Sequence, residues 1–92
     1  MIRRKKAATG VTVTFVLDDD AAAAGQVSVV GDFNDWTPGQ HVFRKRSNGT
    51  RSVSVTLPAG KPVHFRYLAE GGRWFDDPAA DAQDEHGSLL AL

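Results

Sequence analysis

The stretch that decides the fold is Val11-Thr12-Val13-Thr14-Phe15-Val16-Leu17. Its odd-numbered positions are all apolar, whereas two of the three positions between them are threonines. This period of two is typical of a β-strand that buries one face and exposes the other. We therefore predict a half-buried strand over residues 11–17.

The same alternation recurs along the rest of the chain. It predicts strands at residues 27–30, 52–57 and 63–68, with shorter candidates at residues 42–46, 73–75 and 88–92. The pairs Asn48-Gly49 and Gly71-Gly72 tolerate positive φ angles, so each predicts a tight turn between two antiparallel strands. Residues 18–24 are too short for a stable helix and are expected to form a loop. About seven short strands without an amphipathic helix predict an all-β antiparallel sandwich.

Composition limits the classes of function. Ninety-two residues, 41% of them hydrophobic, fit one small domain, and the lack of cysteine excludes disulfides and thiolate metal sites. Eleven basic residues balance eleven acidic residues, so no overall field favours nucleic acid or an acidic membrane as a partner. No apolar run has the length of a signal peptide or a membrane span, and a cytoplasmic location is expected.

Charge is nevertheless uneven along the chain. Four of the eleven basic residues lie within the first six positions, and six of the eleven acids lie between Glu70 and Glu85. We interpret residues 1–9 as a basic, frayed N-terminal tail and residues 10–92 as the folded module.

Catalytic motifs are missing from the sequence. There is no nucleophile elbow, no glycine-rich phosphate loop and no paired-histidine zinc motif. His41, His64 and His86 are more than 20 residues apart, so neither a metal nor another cofactor is expected. Asp76 and Asp77 are adjacent and point to opposite sides of an extended chain, which does not suit an acid–base pair. We interpret them as turn residues and predict that the chain is not an enzyme.

The two tryptophans are the strongest signal for a binding site. Trp36 lies in a stretch of loop-forming residues from Gly31 to Gly39, and Trp74 follows the Gly71-Gly72 turn. A tryptophan is costly to expose, so each either anchors the core or offers a flat apolar face to a partner. With polar side chains beside both, the second role gains weight. An indole can stack on a sugar ring or on a nucleobase, and zero net charge favours the sugar.

Four segments carry a resemblance to a known family. Residues 27–36 are Val-Ser-Val-Val-Gly-Asp-Phe-Asn-Asp-Trp, and residues 57–61 are Leu-Pro-Ala-Gly-Lys. Residues 65–74 are Phe-Arg-Tyr-Leu-Ala-Glu-Gly-Gly-Arg-Trp, followed by Asp77-Pro78. Together these segments resemble carbohydrate-binding module family 48, the glycogen-binding or isoamylase N-terminal module. Its members precede the catalytic barrel in branching and debranching enzymes, and one forms the glycogen-binding domain of the AMP-activated kinase β subunit.

The resemblance implies both a fold and a set of binding residues. The family fold is an immunoglobulin-like, early-set β-sandwich, and two family tryptophans that stack on sugar match Trp36 and Trp74. A family lysine corresponds to Arg66, and Asn34 is a further candidate for hydrogen bonds to sugar hydroxyls. A family asparagine near the C-terminus is replaced, because His86-Gly87 stands at its place.

Each of these residues also has a structural interpretation. Asp32 and Asn34 commonly bond to nearby backbone amides in turns. Phe33 is expected in the core, and Arg66 has Glu70 and Asp76 as possible ionic partners.

The resemblance therefore implies non-catalytic binding of an α-glucan polysaccharide or a maltooligosaccharide. The alternative hypothesis is a scaffold or regulatory module that docks a protein partner, such as a glycogen-metabolising enzyme, with sugar binding lost along with the asparagine. A catalytic barrel needs about 250 residues, which this length does not provide.

Overall fold

The computed structural model describes residues 2–18, 25–46 and 49–92, which form nine strands and a single turn of 3-10 helix at Asp32–Asn34. The strands are β1 (Ile2–Ala7), β2 (Gly10–Asp18), β3 (Val27–Gly31), β4 (Arg44–Lys45), β5 (Thr50–Leu57), β6 (Val63–Ala69), β7 (Arg73–Phe75), β8 (Ala82–Asp84) and β9 (Gly87–Leu90). In this part of the chain no helix has the length and hydrophobicity needed to span a bilayer.

The strands form two antiparallel sheets, which confirms the predicted all-β sandwich. The first sheet has the order β1-β2-β5-β4, and the second has the order β3-β6-β9-β8. Strand β7 pairs with β6 at residues 67–69, on the edge where β9 pairs with residues 63–65. The side chains that alternate toward the space between the sheets form the core.

All seven predicted segments contain a strand, although residues 42–46 contribute only the two-residue β4. The predicted antiparallel pair around Asn48-Gly49 is confirmed by β4 and β5, while Asn48 itself lies outside the described residues. Gly71 and Gly72 have φ angles of 88° and 78°, as the second turn requires. The loop expected at residues 18–24 lies almost entirely outside the described residues, since only Asp18 is described, as the end of β2.

The N-terminal segment differs from the expected frayed tail. Residues Ile2–Ala7 form β1, which pairs with β2 from Ile2 opposite Phe15 to Ala7 opposite Gly10. Ile2 packs against the core, and Arg4 Nη2 donates to Asp81 Oδ2 at 2.7 Å. Backbone pairing and this ion pair hold the segment, while its basic side chains stay solvated, as is common on edge strands. A basic composition therefore did not indicate disorder.

The core is built around an aromatic cluster that joins the two sheets. Phe15 of β2 packs against Phe65 and Tyr67 of β6, with ring centroids 5.0 and 6.1 Å apart. Phe43 meets Tyr67 edge-on at 5.4 Å. Buried valines from β2 and β3 and the apolar side chains Leu57 and Leu90 complete this cluster.

One hydrogen bond between side chains lies inside the core. Tyr67 Oη donates to Asp77 Oδ2 at 2.6 Å, and Asp77 is only 2% exposed. Asp77 Oδ1 also accepts from the Ala79 amide at 2.8 Å, so the Asp77-Pro78 segment has the structural role that its sequence predicted. Burial, together with this hydrogen bond, raises the pKa of the Tyr67 phenol well above its usual range.

We predict that Tyr67→Phe destabilises the domain by about 1–3 kcal/mol, because the buried Asp77 carboxylate loses a hydrogen bond while the ring packing is kept. Urea denaturation followed by far-ultraviolet circular dichroism measures this free energy of unfolding. The control is Thr12→Ala, which removes an exposed hydroxyl bonded to Thr56 and should change stability by less than about 0.5 kcal/mol. Equal effects of the two substitutions would contradict the prediction.

Candidate functional site

The candidate site lies on the face of the second sheet that points away from the core. Phe65 and Tyr67 of β6 are buried, so the alternating residues His64, Arg66 and Leu68 point outward. Trp74 of β7 is the direct partner of Leu68 and shares its face. We call this surface the outer face. From His64 to Leu68 it extends about 13 Å along the strand.

Trp74 is the large apolar side chain that this face leaves open to solvent. It is 47% exposed and is the only large hydrophobic residue in the described ranges with so much exposed surface. Its position on the short strand β7, directly after the Gly71-Gly72 turn, holds the indole at one end of the outer face. An exposed indole at a fixed position is suited to stacking against a ligand.

Trp36 lies at the other end, beside His64, and is half-buried. Its backbone N–H donates to Gly31 O at 3.0 Å, and its Nε1 donates to Asp32 Oδ1 at 3.1 Å. Its φ angle of 56° is unusual for a bulky residue, so these two bonds help to hold it in place. The indole borders a concavity of about 350 Å³ that Asp32, His64 and His86 also line.

Arg66 lies between these two ends of the outer face. Its Nε is 3.5 Å from Asp76 Oδ1, and its Nη2 donates weakly to Glu85 O at 3.4 Å. Of the two ionic partners considered for Arg66, the structure therefore selects Asp76. The Nε atom is buried and has no hydrogen-bond partner among the described residues.

Gly87 lies directly against Arg66. A Cβ atom at position 87 would be 2.8 Å from Arg66 Cγ and 2.9 Å from the carbonyl oxygen of Phe65. Gly87 also has a φ angle of 121°, which disfavours other residues. The resembled family has an asparagine at or next to this position, and here the Arg66 side chain occupies the space that a side chain at position 87 would need.

The sugar-binding role considered for Asn34 does not fit the structure. Asn34 is 5% exposed, and its Oδ1 accepts from the Gly31 amide at 3.0 Å. Its Nδ2 donates to Val29 O at 3.1 Å and to His41 Nδ1 at 2.9 Å. Both amide hydrogens and the carbonyl are used within the fold, so Asn34 is a turn residue and leaves the candidate site.

The neighbours of Asn34 also have structural roles. Asp32 Oδ2 accepts from the His64 backbone amide at 2.9 Å, so this carboxylate ties the 3-10 turn to β6. Phe33 is half-buried and stacks on Phe15 with centroids 6.3 Å apart, as expected for a residue that packs against the core. The 3-10 turn that precedes Trp36 is therefore held to β6 by Asp32 and to the core by Phe33.

Sequence reasoning missed a polar cluster at the Trp36 end of the outer face. His64 Nε2 lies 2.9 Å from Asp84 Oδ2, and the rings of His64 and His86 meet edge-on at 5.7 Å. The hydrogen bond that His64 Nε2–H donates to Asp84 is the main cause that raises the pKa of His64, and it lowers the pKa of Asp84 in turn. No group of three or more potential metal ligands occurs in residues 2–18, 25–46 and 49–92.

Comparisons with known proteins give a consistent result. The chain is 37% identical over 79 residues to a 1,4-α-glucan branching enzyme of Salinibacter ruber, an alignment that covers 78% of this chain and 13% of that enzyme. It is 33% identical over 63 residues to the chloroplastic/amyloplastic branching enzyme of Oryza sativa subsp. japonica, covering 61% of the chain and 8% of the enzyme. The chain is similar to a segment of glucan branching enzymes.

The extent of these matches has a functional consequence. The chain spans only 7–13% of the length of the branching enzymes that it matches. A match of this extent is consistent with a non-catalytic domain. No profile of a known protein family matches the chain.

The His64–Asp84 pair predicts a pH-dependent contribution to stability. Because folding raises the pKa of His64, the stabilisation is fully present below the unfolded value of 6.5 and is lost as the pH rises through the folded value. Because folding lowers the pKa of Asp84, the same pair weakens again when the pH falls below about 4. The difference in thermal midpoint between the parent and His64→Gln should be larger at pH 5.5 than at pH 8.5. A difference that grows toward alkaline pH would contradict this prediction.

The two tryptophans should differ in their access to solvent. In Trp36→Phe only the open Trp74 emits, and its fluorescence should be red-shifted and strongly quenched by iodide. In Trp74→Phe only the half-buried Trp36 emits, and a smaller Stern–Volmer slope is expected. Acrylamide, an uncharged quencher, controls for the effect of nearby charges on iodide. Equal slopes for the two variants with acrylamide would contradict the exposures described above.

Proposed function

We propose that this domain is a non-catalytic module that binds α-1,4-glucan chains, such as glycogen, starch or maltooligosaccharides, on its outer face. We further propose that it belongs to carbohydrate-binding module family 48. The observation that carries the proposal is the exposed indole of Trp74 on the same face as Arg66. The similarity to branching enzymes, whose names specify 1,4-α-glucan, supports this choice of ligand.

The proposed contacts follow from the chemistry of the three side chains. The apolar face of a pyranose ring packs on Trp74, which removes apolar surface of both from water. The Arg66 guanidinium donates to sugar hydroxyl oxygens. Its present contacts with Glu85 O at 3.4 Å and Asp76 Oδ1 at 3.5 Å are long, so shorter hydrogen bonds to sugar can replace them. Trp36 contributes its ring alone, because Nε1 is already bonded to Asp32.

The charges around the site favour a neutral ligand. The carboxylates of Asp32, Asp76 and Asp84 lie within reach of the His64 and Arg66 side chains, and Glu85 is close by. A polyanion such as nucleic acid would meet these carboxylates, whereas sugar hydroxyls can donate to them. This distribution supports a polyhydroxylated, uncharged chain as the ligand.

The shape of the site supports modest affinity. The outer face is open, and the space that an asparagine would need is occupied by Arg66 against Gly87. An open surface leaves much of the ligand in water. The sugar hydroxyls and the polar groups of the protein must also give up hydrogen bonds to water before they bond to each other. We therefore expect weak binding that increases with the number of glucose units in contact.

The experiment is a calorimetric titration of the full chain with maltoheptaose. Trp74→Ala should weaken binding by about 1–3 kcal/mol, if stacking on sugar resembles the stacking of aromatic residues on bases. Arg66→Gln should weaken it further by about 1–2 kcal/mol, since it removes charge-assisted hydrogen bonds. The matched control is Thr56→Ala on the opposite sheet, which should bind like the parent.

Two results would overturn the proposal. One is a Trp36→Ala/Trp74→Ala double variant that binds maltoheptaose as well as the parent does. The other is a folded parent that binds neither maltoheptaose nor glycogen, a result that would favour the protein-docking alternative. Cellohexaose serves as the ligand control, because its straight β-linked chain has a different shape.

A further inference from the structure

A second concavity lies next to β4, where the chain passes from the edge of β3 to the first sheet. Its volume is about 590 Å³, and two valines with the polar residues Gln40, His41, Arg44, Arg46, Ser52 and Ser54 line it. We call it the cationic pocket. Its lining combines residues of β4 and β5 in the first sheet with residues 40–42, which run beside β3, and it shares no residue with the outer face of the second sheet.

The pocket exists because the chain changes sheets at this point. Val29 N donates to His41 O and Phe43 N donates to Val27 O, so residues 41–43 run along the edge of β3. The chain then joins the first sheet, where Arg44 pairs with Ser52. Phe43 is 5% exposed and points into the core, so Arg44 points the other way, toward the surface. Since β4 has only two residues, the surface beside it remains concave.

The side chains of the pocket are arranged to receive negative charge. Among the residues that the structure describes, no aspartate or glutamate lines it. Arg46 Nε donates to Ser52 Oγ at 2.7 Å, and Ser52 is 8% exposed, so the guanidinium is anchored at one end. Its two terminal nitrogens and the whole Arg44 guanidinium make no side-chain hydrogen bond or ion pair with the residues that the structure describes.

His41 adds a donor of defined orientation. Its Nδ1 lies 2.9 Å from Asn34 Nδ2, and an amide nitrogen only donates, so Nδ1 must accept. The proton of the neutral ring is therefore on Nε2, where it is available to a ligand atom. The pocket thus combines two guanidinium groups, a ring N–H and the Ser52 hydroxyl, and none of its described lining residues carries a carboxylate.

Basic residues are concentrated on the first sheet, although Arg4 is paired with Asp81 and Arg51 is buried. Eight of the eleven basic residues lie in the strands of the first sheet or directly after β4, namely Arg3, Arg4, Lys5, Lys6, Arg44, Lys45, Arg46 and Arg51. Among the described residues of those strands the only acid is Asp18, at the end of β2. The zero net charge of the chain therefore conceals an uneven distribution of its basic residues.

We propose that the cationic pocket binds a phosphoryl dianion, as free phosphate or as the phosphate ester of a sugar or glucan. Two planar guanidinium groups match the oxygens of a phosphoryl group, each with a pair of parallel hydrogen bonds. The Ser52 hydroxyl, whose oxygen accepts from Arg46 and which keeps its own proton, and the His41 N–H add donors to the pocket. The pocket shares no residue with the proposed glucan site, and this proposal does not depend on that one.

The test is a ¹H–¹⁵N NMR titration of the full chain with inorganic phosphate at constant ionic strength, followed by glucose 6-phosphate. Saturable shifts are expected at the amides of residues 40–46 and 52–54. Arg44→Gln/Arg46→Gln should weaken the apparent affinity about tenfold or more. Arg44→Gln alone, which removes no side-chain hydrogen bond or ion pair within the described chain, should produce part of that loss without affecting the fold. The matched control is Lys5→Gln/Lys6→Gln, which removes the same charge from β1.

The outcomes separate this proposal from its competitors. Tighter binding of glucose 6-phosphate than of phosphate at the same amides would identify an ester as the ligand, and equal binding would identify the phosphoryl group itself. Shifts that never saturate, or an equal loss of affinity in the β1 control, would overturn the pocket in favour of diffuse attraction. Arg44→Gln/Arg46→Gln should keep maltoheptaose binding and Trp74→Ala should keep phosphate binding, so a failure of one site is distinguishable from a failure of the other.

Discussion

The pairing of β6 fixes which side of the second sheet each of its residues occupies. It pairs with β3 at residues 65–69 on one edge, and with β9 at 63–65 and β7 at 67–69 on the other. A shift of one residue would bring Arg66 into the core and expel Tyr67, which the buried bond to Asp77 opposes. The same register that builds the aromatic core therefore presents Arg66 opposite to it and aligns Leu68 with Trp74.

The turn after β3 extends this control to Trp36. The two carboxylate oxygens of Asp32 accept from different groups, the His64 backbone amide and the Trp36 indole N–H. Asn34 closes the turn from the inside through its bond to the Gly31 amide. Asp32 and Asn34, whose residue types suggest sugar-binding groups in the sequence, thus hold the turn that positions the Trp36 side chain. They bring that side chain and β6 to one surface, although more than 20 residues separate them in the chain.

Sequence alone predicted the parts of the fold that depend on local alternation. Seven strands and both hairpins were predicted because an apolar side chain at every second position is visible within one segment. Strands β1 and β8 were not, since β8 is exposed throughout and β1 is exposed between its two ends, and their backbone pairing leaves no mark on composition. The role of Asn34 and the His64–Asp84 contact depend on partners from elsewhere in the chain and on strand register, which residue types do not reveal.

Net charge was the weakest of the sequence observations, because it averages over surfaces that a ligand meets separately. Two packed sheets lie about 10 Å apart, whereas screening in physiological salt acts over about 8 Å. A ligand on the outer face therefore responds mainly to the carboxylates near His64 and Arg66, and a ligand beside β4 responds mainly to Arg44 and Arg46. A neutral polyhydroxylated chain suits the first environment and a phosphoryl dianion suits the second. One domain of 92 residues with no net charge can thus present two chemically different environments to ligands.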